Sequence, residues 1–183
     1  GIFWASGAAL MIRSELYHKA KGLDEDFFAH MEEIDLCWRI QNMGYTFSCE
    51  PKSKVYHVGG GTLNYMNPKK TYLNFRNSLF MIAKNHQGPL FFMVFKRLCL
   101  DGLAAVKFML SFQFSHIFAL TKAHIHFYTN LKSLLKKRKE LKSTFGLQPR
   151  KQLHGVYQKN IILEKFLKKR KKFSNLDLEK LSS

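Results

Sequence analysis

Asp24-Glu25-Asp26-Phe27-Phe28-Ala29-His30-Met31-Glu32-Glu33-Ile34-Asp35-Leu36-Cys37-Trp38-Arg39 decides how the rest of this chain is read. Six of its 13 acidic residues fall between Asp24 and Asp35, in a protein of 183 residues whose formal charge is +17. Like charges packed together repel and raise one another's proton affinity. The cluster therefore calls for a cation, a cationic partner or a proton-transfer task. Asp24 to Phe28 reads as a loop anchored by its two phenylalanines. From about Met31 to Met43, the apolar positions Ile34, Leu36, Trp38 and Ile40 predict a helix closed by Gly44. Glu32 and Glu33 sit in its first turn, where the helix dipole favours negative charge. Asp35 and Arg39 form an i,i+4 pair.

Upstream, Ser6-Gly7-Ala8-Ala9-Leu10-Met11-Ile12-Arg13 is a short apolar run that predicts a buried strand. A helix capped by Ser14 is expected to follow, to about Lys21, with Gly22 as its stop. Downstream, Tyr45-Thr46-Phe47-Ser48-Cys49 alternates as a strand ended by Pro51, and Lys54 to Val58 is a second. Gly59-Gly60-Gly61-Thr62 is a loop whose backbone can approach a ligand closely. From Asn67-Pro68 the pattern turns helical. Tyr72, Phe75, Leu79, Phe80 and Ile82 share a face as far as about Asn85, and Gly88-Pro89 breaks it. Residues 90–130 read as very apolar helices. Their longest uncharged stretch, Phe108 to Thr121, is 14 residues, shorter than the ~20 that a spanning helix needs. Packed or interfacial amphipathic helices are expected there instead.

Charge is distributed unevenly. Residues 131–183 hold 16 of the 30 basic residues and four acidic ones. Lys136-Lys137-Arg138-Lys139 and Lys168-Lys169-Arg170-Lys171-Lys172 flank a loop expected over 144–149. Such a tail favours an anionic partner. Lysine dominates and the aromatics lie on apolar helical faces, which points to an anionic membrane surface and not to nucleic acid. Cys37, Cys49 and Cys99 are odd in number and form no CxxC. They read as small buried hydrophobes of a reduced, cytoplasmic compartment. Gly1-Ile2-Phe3-Trp4 reads as the interior of a longer polypeptide, with no signal segment before it. Three stretches are expected: 1–66, 67–130 and 131–183.

Five motifs occur in order: Ser6 to Arg13, Gly22 to Phe28, Glu32 to Arg39, Gly44-Tyr45, and His57-Val58-Gly59-Gly60-Gly61-Thr62. Together they resemble the second half of a GT-A fold, family 2 glycosyltransferase, of the subgroup that includes rhamnosyltransferases and galactofuranosyltransferases. Arg76-Asn77 also resembles part of the helix that follows in bacterial members. The resemblance implies an α/β fold, the acceptor-side half of a Rossmann-like αβα domain, followed by a mostly helical extension. It implies inverting sugar transfer from a nucleotide-sugar donor to a glycan or a polyprenyl-diphosphate-linked acceptor. The enzyme would lie peripherally at the inner face of the cell membrane.

An inverting transfer needs a base for the acceptor hydroxyl and charge stabilisation at the leaving diphosphate. The family's base is the second acid of the pair that opens the helix, here Glu33, with Glu32 raising its proton affinity or orienting acceptor hydroxyls. Glu stands where Asp is more common. His57 is implied as a ligand of a divalent metal, Mn2+ more readily than Mg2+. The Asp-x-Asp carboxylates that would complete the shell are expected outside this chain, because Asp24-Glu25-Asp26 sits at the family's acidic loop. Asp35 either binds acceptor or braces Arg39. Trp38 either stacks on a sugar or packs in the core. Ser6, Gly7, Ala8 and Gly60 are expected along the substrate. A non-catalytic basic module for membrane surfaces is the alternative reading.

Overall fold

The computed structural model describes residues 1–57, 67–145, 153–159 and 161–166, with positions 169, 172, 175, 176 and 180–182. Six α-helices lie among them: α1 (Ser14–Lys19), α2 (Glu32–Asn42), α3 (Pro68–Asn85), α4 (Leu90–Leu110), α5 (Phe114–Phe145) and α6 (Ile161–Phe166). Two 3-10 turns, Gly7–Ala9 and Glu25–Phe27, precede α1 and α2. Asn67 starts α3 by accepting the Lys69 N–H at 2.8 Å, with Pro68 as the first helical residue. α4 and α5 form an antiparallel hairpin, so that Phe108 stacks on His116 and Asp101 meets His124. α3 packs along α5 more extensively than any other helix pair.

The expected α/β fold is overturned. Among the described residues there is no strand and no sheet, only the isolated antiparallel bridges Ile2–Phe47 and Tyr157–Leu181. The reason lies in where backbone groups find partners. A helix satisfies its own N–H and C=O groups, whereas a strand needs a neighbour. In the apolar run from Ser6, the Ser6 hydroxyl accepts the Ala8 N–H and the Ser6 carbonyl accepts the Ala9 N–H, closing a local turn. Of Tyr45 to Cys49, only Phe47 forms a bridge, its carbonyl accepting the Ile2 N–H at 2.9 Å, while the Tyr45 N–H turns back to the Ile40 carbonyl at the end of α2. α1, α2 and α3 fall close to their expected bounds, whereas α5 runs on to Phe145, across the boundary expected at 130 and through the first lysine run. The cysteines do not all behave as expected: Cys37 is buried, but Cys49 and Cys99 are exposed free thiols.

One core cluster joins Phe27, Leu79, Phe80, Ala83, Phe127 and Leu134, drawing residues from all three expected stretches together. A second, around Ala20, Leu36 and Ile40, seats α1 on α2. Between α2 and α3 the interior is ionic. Asp35 is fully buried. It accepts from Arg39 Nε at 2.8 Å, from Lys84 Nζ at 2.9 and 3.0 Å, and from Asn85 Nδ2 at 2.6 Å. Lys84 also meets Asp24 at 2.5 Å, and Lys137 of α5 bridges Asp24 (2.8 Å) and Asp26 (2.7 Å). Arg39 donates onward to the carbonyls of Ala20 and Gly22. The acidic loop thus receives its cations from residues far away in sequence.

The segment between that loop and α2 is strained and held from outside. Phe28, His30 and Met31 have φ of +61°, +69° and +72°, a region that costs non-glycine residues about 1–2 kcal/mol each. The Asn77 amide, fully buried, is shared among the carbonyls of Phe27 (3.0 Å), Ala29 (2.8 Å) and His30 (2.7 Å). Arg76 donates to the carbonyls of Asp26 and Phe27 at 2.8 and 3.0 Å and to Asn77 Oδ1 at 2.8 Å. α3 therefore sets the conformation of the segment that delivers Glu32 and Glu33.

Two stability measurements follow from this network. Lys84→Met leaves Asp35 short of a counter-charge in the interior, and urea unfolding should show a loss of about 3–5 kcal/mol. Lys137→Met, at a half-exposed site, should cost less than about 1 kcal/mol. Equal losses would show that Lys84 is not the central ion. Acid behaves predictably too. Burial alone would raise the Asp24 pKa, but the Lys84 charge and hydrogen bonds from Lys137, Lys84 and the Asp26 N–H hold it well below the usual carboxylate range. A group whose folded pKa is depressed stabilises the fold above its unfolded value, near 4, and loses that contribution as pH falls further. Stability should therefore decline below about pH 4, and Asp24→Asn should flatten that decline.

Candidate functional site

The strained segment ends at Met31, whose carbonyl accepts the Asp35 N–H at 2.8 Å and so starts α2 without a side-chain cap. Glu32 and Glu33 consequently occupy the first turn at the molecular surface, both half-buried. Each directs one carboxylate oxygen, Oε2, into a buried position with no hydrogen-bond partner among the described residues, and His30 Nε2 is in the same condition. A buried polar atom without a partner costs about 1–3 kcal/mol. Three of them within four residues mark a place organised for something other than stability.

The electrostatics suit a base. Burial raises the Glu33 pKa above its ordinary value, and the neighbouring Glu32 charge adds to it. A hydrogen bond to its own backbone N–H and the nearby His30 act in the opposite sense without cancelling the rise. Glu32 and Glu33 border a cleft of about 340 Å³ whose other walls include Gly7, Leu10, Tyr17 and Leu23. Gly7 faces Glu33 directly, since a Cβ on it would lie 4.0 Å from the Glu33 Cβ. The fold thus brings the Ser6-Gly7-Ala8 turn to the two glutamates. Ser6 spends its hydroxyl on capping that turn, and Ala8 is exposed beside it.

The other expected site residues lie elsewhere. Asp35 points inward, to Arg39, Lys84 and Asn85, and not to the cleft. Trp38 is five residues beyond Glu33, about 140° around the helix. It is buried edge-on against Phe3, ring centroids 5.6 Å apart, and borders a separate cavity of about 520 Å³ with Asn42, His86, Gln87 and Leu153. His57 is exposed, and among the described residues no group of three or more His, Cys, Asp or Glu side chains is placed to hold a metal ion. Among the described residues His57 has no carboxylate partners for a metal, and the Asp-x-Asp ligands that the resemblance implies are expected outside this chain. Gly60 lies outside the described residues.

Asn77, Arg76 and Lys84 escaped the sequence reading as parts of the site's support. Their signal is polarity at buried positions: Arg76 interrupts the face marked by Leu79, Phe80 and Ile82, and Asn77 and Lys84 border it.

Two curated relatives are similar to part of this chain. Both are named N-acetylglucosaminyl-diphospho-decaprenol L-rhamnosyltransferase, from two strains of Mycobacterium tuberculosis. Each is 25% identical over 85 residues, covering 46% of this chain and 28% of the relative. No family model matches the chain, and no solved structure matches it at a significant level. The match thus spans less than a third of the length of those relatives. It is a distant relationship to a glycosyltransferase.

Proposed function

We propose that this chain activates the acceptor in an inverting, family 2 type glycosyltransferase, with Glu33 as the general base. The observation that carries the reading is the pair of unpartnered carboxylate oxygens on Glu32 and Glu33 at the Gly7 cleft. An acceptor hydroxyl entering the cleft would donate to the Glu33 carboxylate. As its oxygen attacks the anomeric carbon of a nucleotide-sugar, the proton passes to the Glu33 carboxylate. The new C–O bond forms opposite the breaking bond to the diphosphate, which leaves with the electron pair, so the anomeric configuration inverts. The raised proton affinity of Glu33 strengthens it as a base, and Glu32 both contributes to that rise and offers a second acceptor for neighbouring sugar hydroxyls. Gly7 leaves room for a sugar against the backbone.

The acceptor class follows from the distant relatives, whose name specifies a sugar linked through diphosphate to a polyprenol. The acceptor proposed here is a glycan precursor of that lipid-linked kind. The role proposed for this chain is the acceptor side, and a divalent metal at the leaving diphosphate would be held mainly by carboxylates outside it, with His57 as one ligand.

The test is transfer from a nucleotide-sugar to a polyprenyl-diphosphate-linked acceptor by the transferase that carries this segment. Glu33→Gln should lower kcat by about a hundred- to ten-thousand-fold, with KM little changed. Turnover near that of the parent would remove Glu33 from the mechanism. The same substitution should act on stability with the opposite sign. The folded pKa of Glu33 exceeds its unfolded value, so its contribution to stability is lost as pH rises through the folded pKa. Glu33→Gln should therefore raise Tm at neutral pH, showing that the loss of turnover does not come from unfolding.

A further inference from the structure

We propose that the outward face of α4 is a docking surface for an anionic lipid membrane. The polar and apolar sides of this helix are reversed relative to a helix made for water. Arg97 and Asp101 pair at 2.7 Å on the side facing the bundle, where Asp101 also meets His124 at 3.0 Å and is 1% exposed. On the opposite side, Phe91, Phe92, Phe95, Leu103, Val106 and Leu110 face solvent, Phe91 and Leu110 at 74% exposure. At 100° per residue these six fall within an arc of about 120°. A surface helix in water places such a stripe inward. Gly102, inside the same arc, has nothing within 4 Å of where a Cβ would stand, so the face has open space over it. The stripe continues into an apolar groove of about 410 Å³, where Phe95 and Leu98 face Tyr128, Leu131 and Leu135 of α5. Monomeric proteins rarely leave so large a continuous apolar patch uncovered.

Charge identifies the occupant. Lys96 and Lys107 stand at one edge of the stripe, and Lys132 and Lys136 flank Leu135 on α5, all exposed. Asp101 is the one acid in residues 90–139, and it is buried, so the exposed charge along that stretch of the hairpin has a single sign and the nearest exposed acid, Glu140, lies beyond the stripe and its lysines. A second copy of the chain docking on this face would bring two cationic rims together, at a cost. Nucleic acid would satisfy the lysines, yet it reads exposed aromatics interleaved with cations and not a contiguous aliphatic and phenyl stripe. A bilayer with anionic headgroups meets both features. The rings and leucines enter the boundary between headgroups and acyl chains, while lysine stems lie along it and their ammonium groups reach the phosphates. Among the described residues no helix is long and apolar enough to cross a membrane, so α4 would lie in the plane of the interface. Vesicle binding requires no sugar transfer, and this proposal stands or falls apart from the role of Glu33.

The full chain, mixed with sedimentable vesicles, gives the test. Vesicles of phosphatidylcholine with about one third phosphatidylglycerol should bind it at least roughly tenfold more tightly than phosphatidylcholine alone, and less so at high salt. Phe95→Glu combined with Leu103→Glu changes two exposed side chains, with folding checked by circular dichroism. It should weaken binding to both vesicle types by about tenfold or more. Lys96→Ala with Lys107→Ala should remove several-fold of the preference for phosphatidylglycerol and leave binding to phosphatidylcholine unchanged. Parent-like binding by the glutamate variant would overturn the proposal. So would a dimer that the same substitutions dissociate, in a protein that binds no vesicles, or binding to RNA in place of vesicles.

Discussion

The Lys84 ammonium sits 2.9 Å from Asp35 and 2.5 Å from Asp24, with its side chain 2% exposed, and it lies 4.8 Å from the centre of the Phe27 ring. This buried ion fixes α3 to both ends of the acidic stretch at once. A lone ammonium in such a place would be expelled by its desolvation penalty, and two carboxylates without it would repel. Only the set of Asp24, Asp35, Lys84 and Arg39 is tolerable in the interior, which gives the packing of α2 on α3 a single register. Lys137 extends the set to α5, so the longest helix is tied to the same loop.

With the two ends fixed in this way, the residues between them can be held in an unfavourable conformation. Asn77 and Arg76 occupy the carbonyls of Asp26, Phe27, Ala29 and His30, groups that would otherwise find water or fold into ordinary turns. The positive φ values of Phe28, His30 and Met31 are the result. Their consequence is that α2 opens without a capping side chain, so no Ser, Thr or Asn stands in front of Glu32 and Glu33. Stability in one layer thus supports strain and unpaired carboxylate oxygens in the next, a division seen where a site needs reactive groups in fixed places.

How much of this was legible in the sequence depends on how far each feature reaches. α2 and α3 were legible to within a residue or so, because their signals are local: Asn67-Pro68 at one start, Gly44 and Gly88-Pro89 at the ends. The Asp35–Arg39 pair was legible as a spacing, but its burial was not, since burial depends on Lys84 and Asn85, 49 and 50 residues away. The task of Asp24 was hidden for the same reason, its partners lying 60 and 113 residues on. The expectation of a sheet failed because alternation reports only that a stretch could be a strand. Whether it becomes one depends on a neighbour's free N–H and C=O groups, and among the described residues Tyr45 to Cys49 bridges only to Ile2. Glu33 and Gly7 were named from their motifs, and the cleft that brings them together became visible only in three dimensions.

The apolar excess of α4 was also present in the sequence, but its meaning depends on geometry. Leu90, Val94 and Leu98 pack inward against the core, and Phe91, Phe95 and Leu103 face outward. A helix that is apolar nearly all round belongs in an interior covered on every side. Here α3 and α5 cover one side only. Rolling the helix would not help, because each turn carries apolar side chains on both faces and any rotation exposes one set in place of the other. The Arg97–Asp101–His124 contact then selects which set. By satisfying Asp101 against α5, it fixes the rotation that leaves the phenylalanines outward and places Lys96 and Lys107 at their edge. A buried ion pair contributes little to stability in itself, but it can determine which face of a doubly apolar helix the rest of the cell meets.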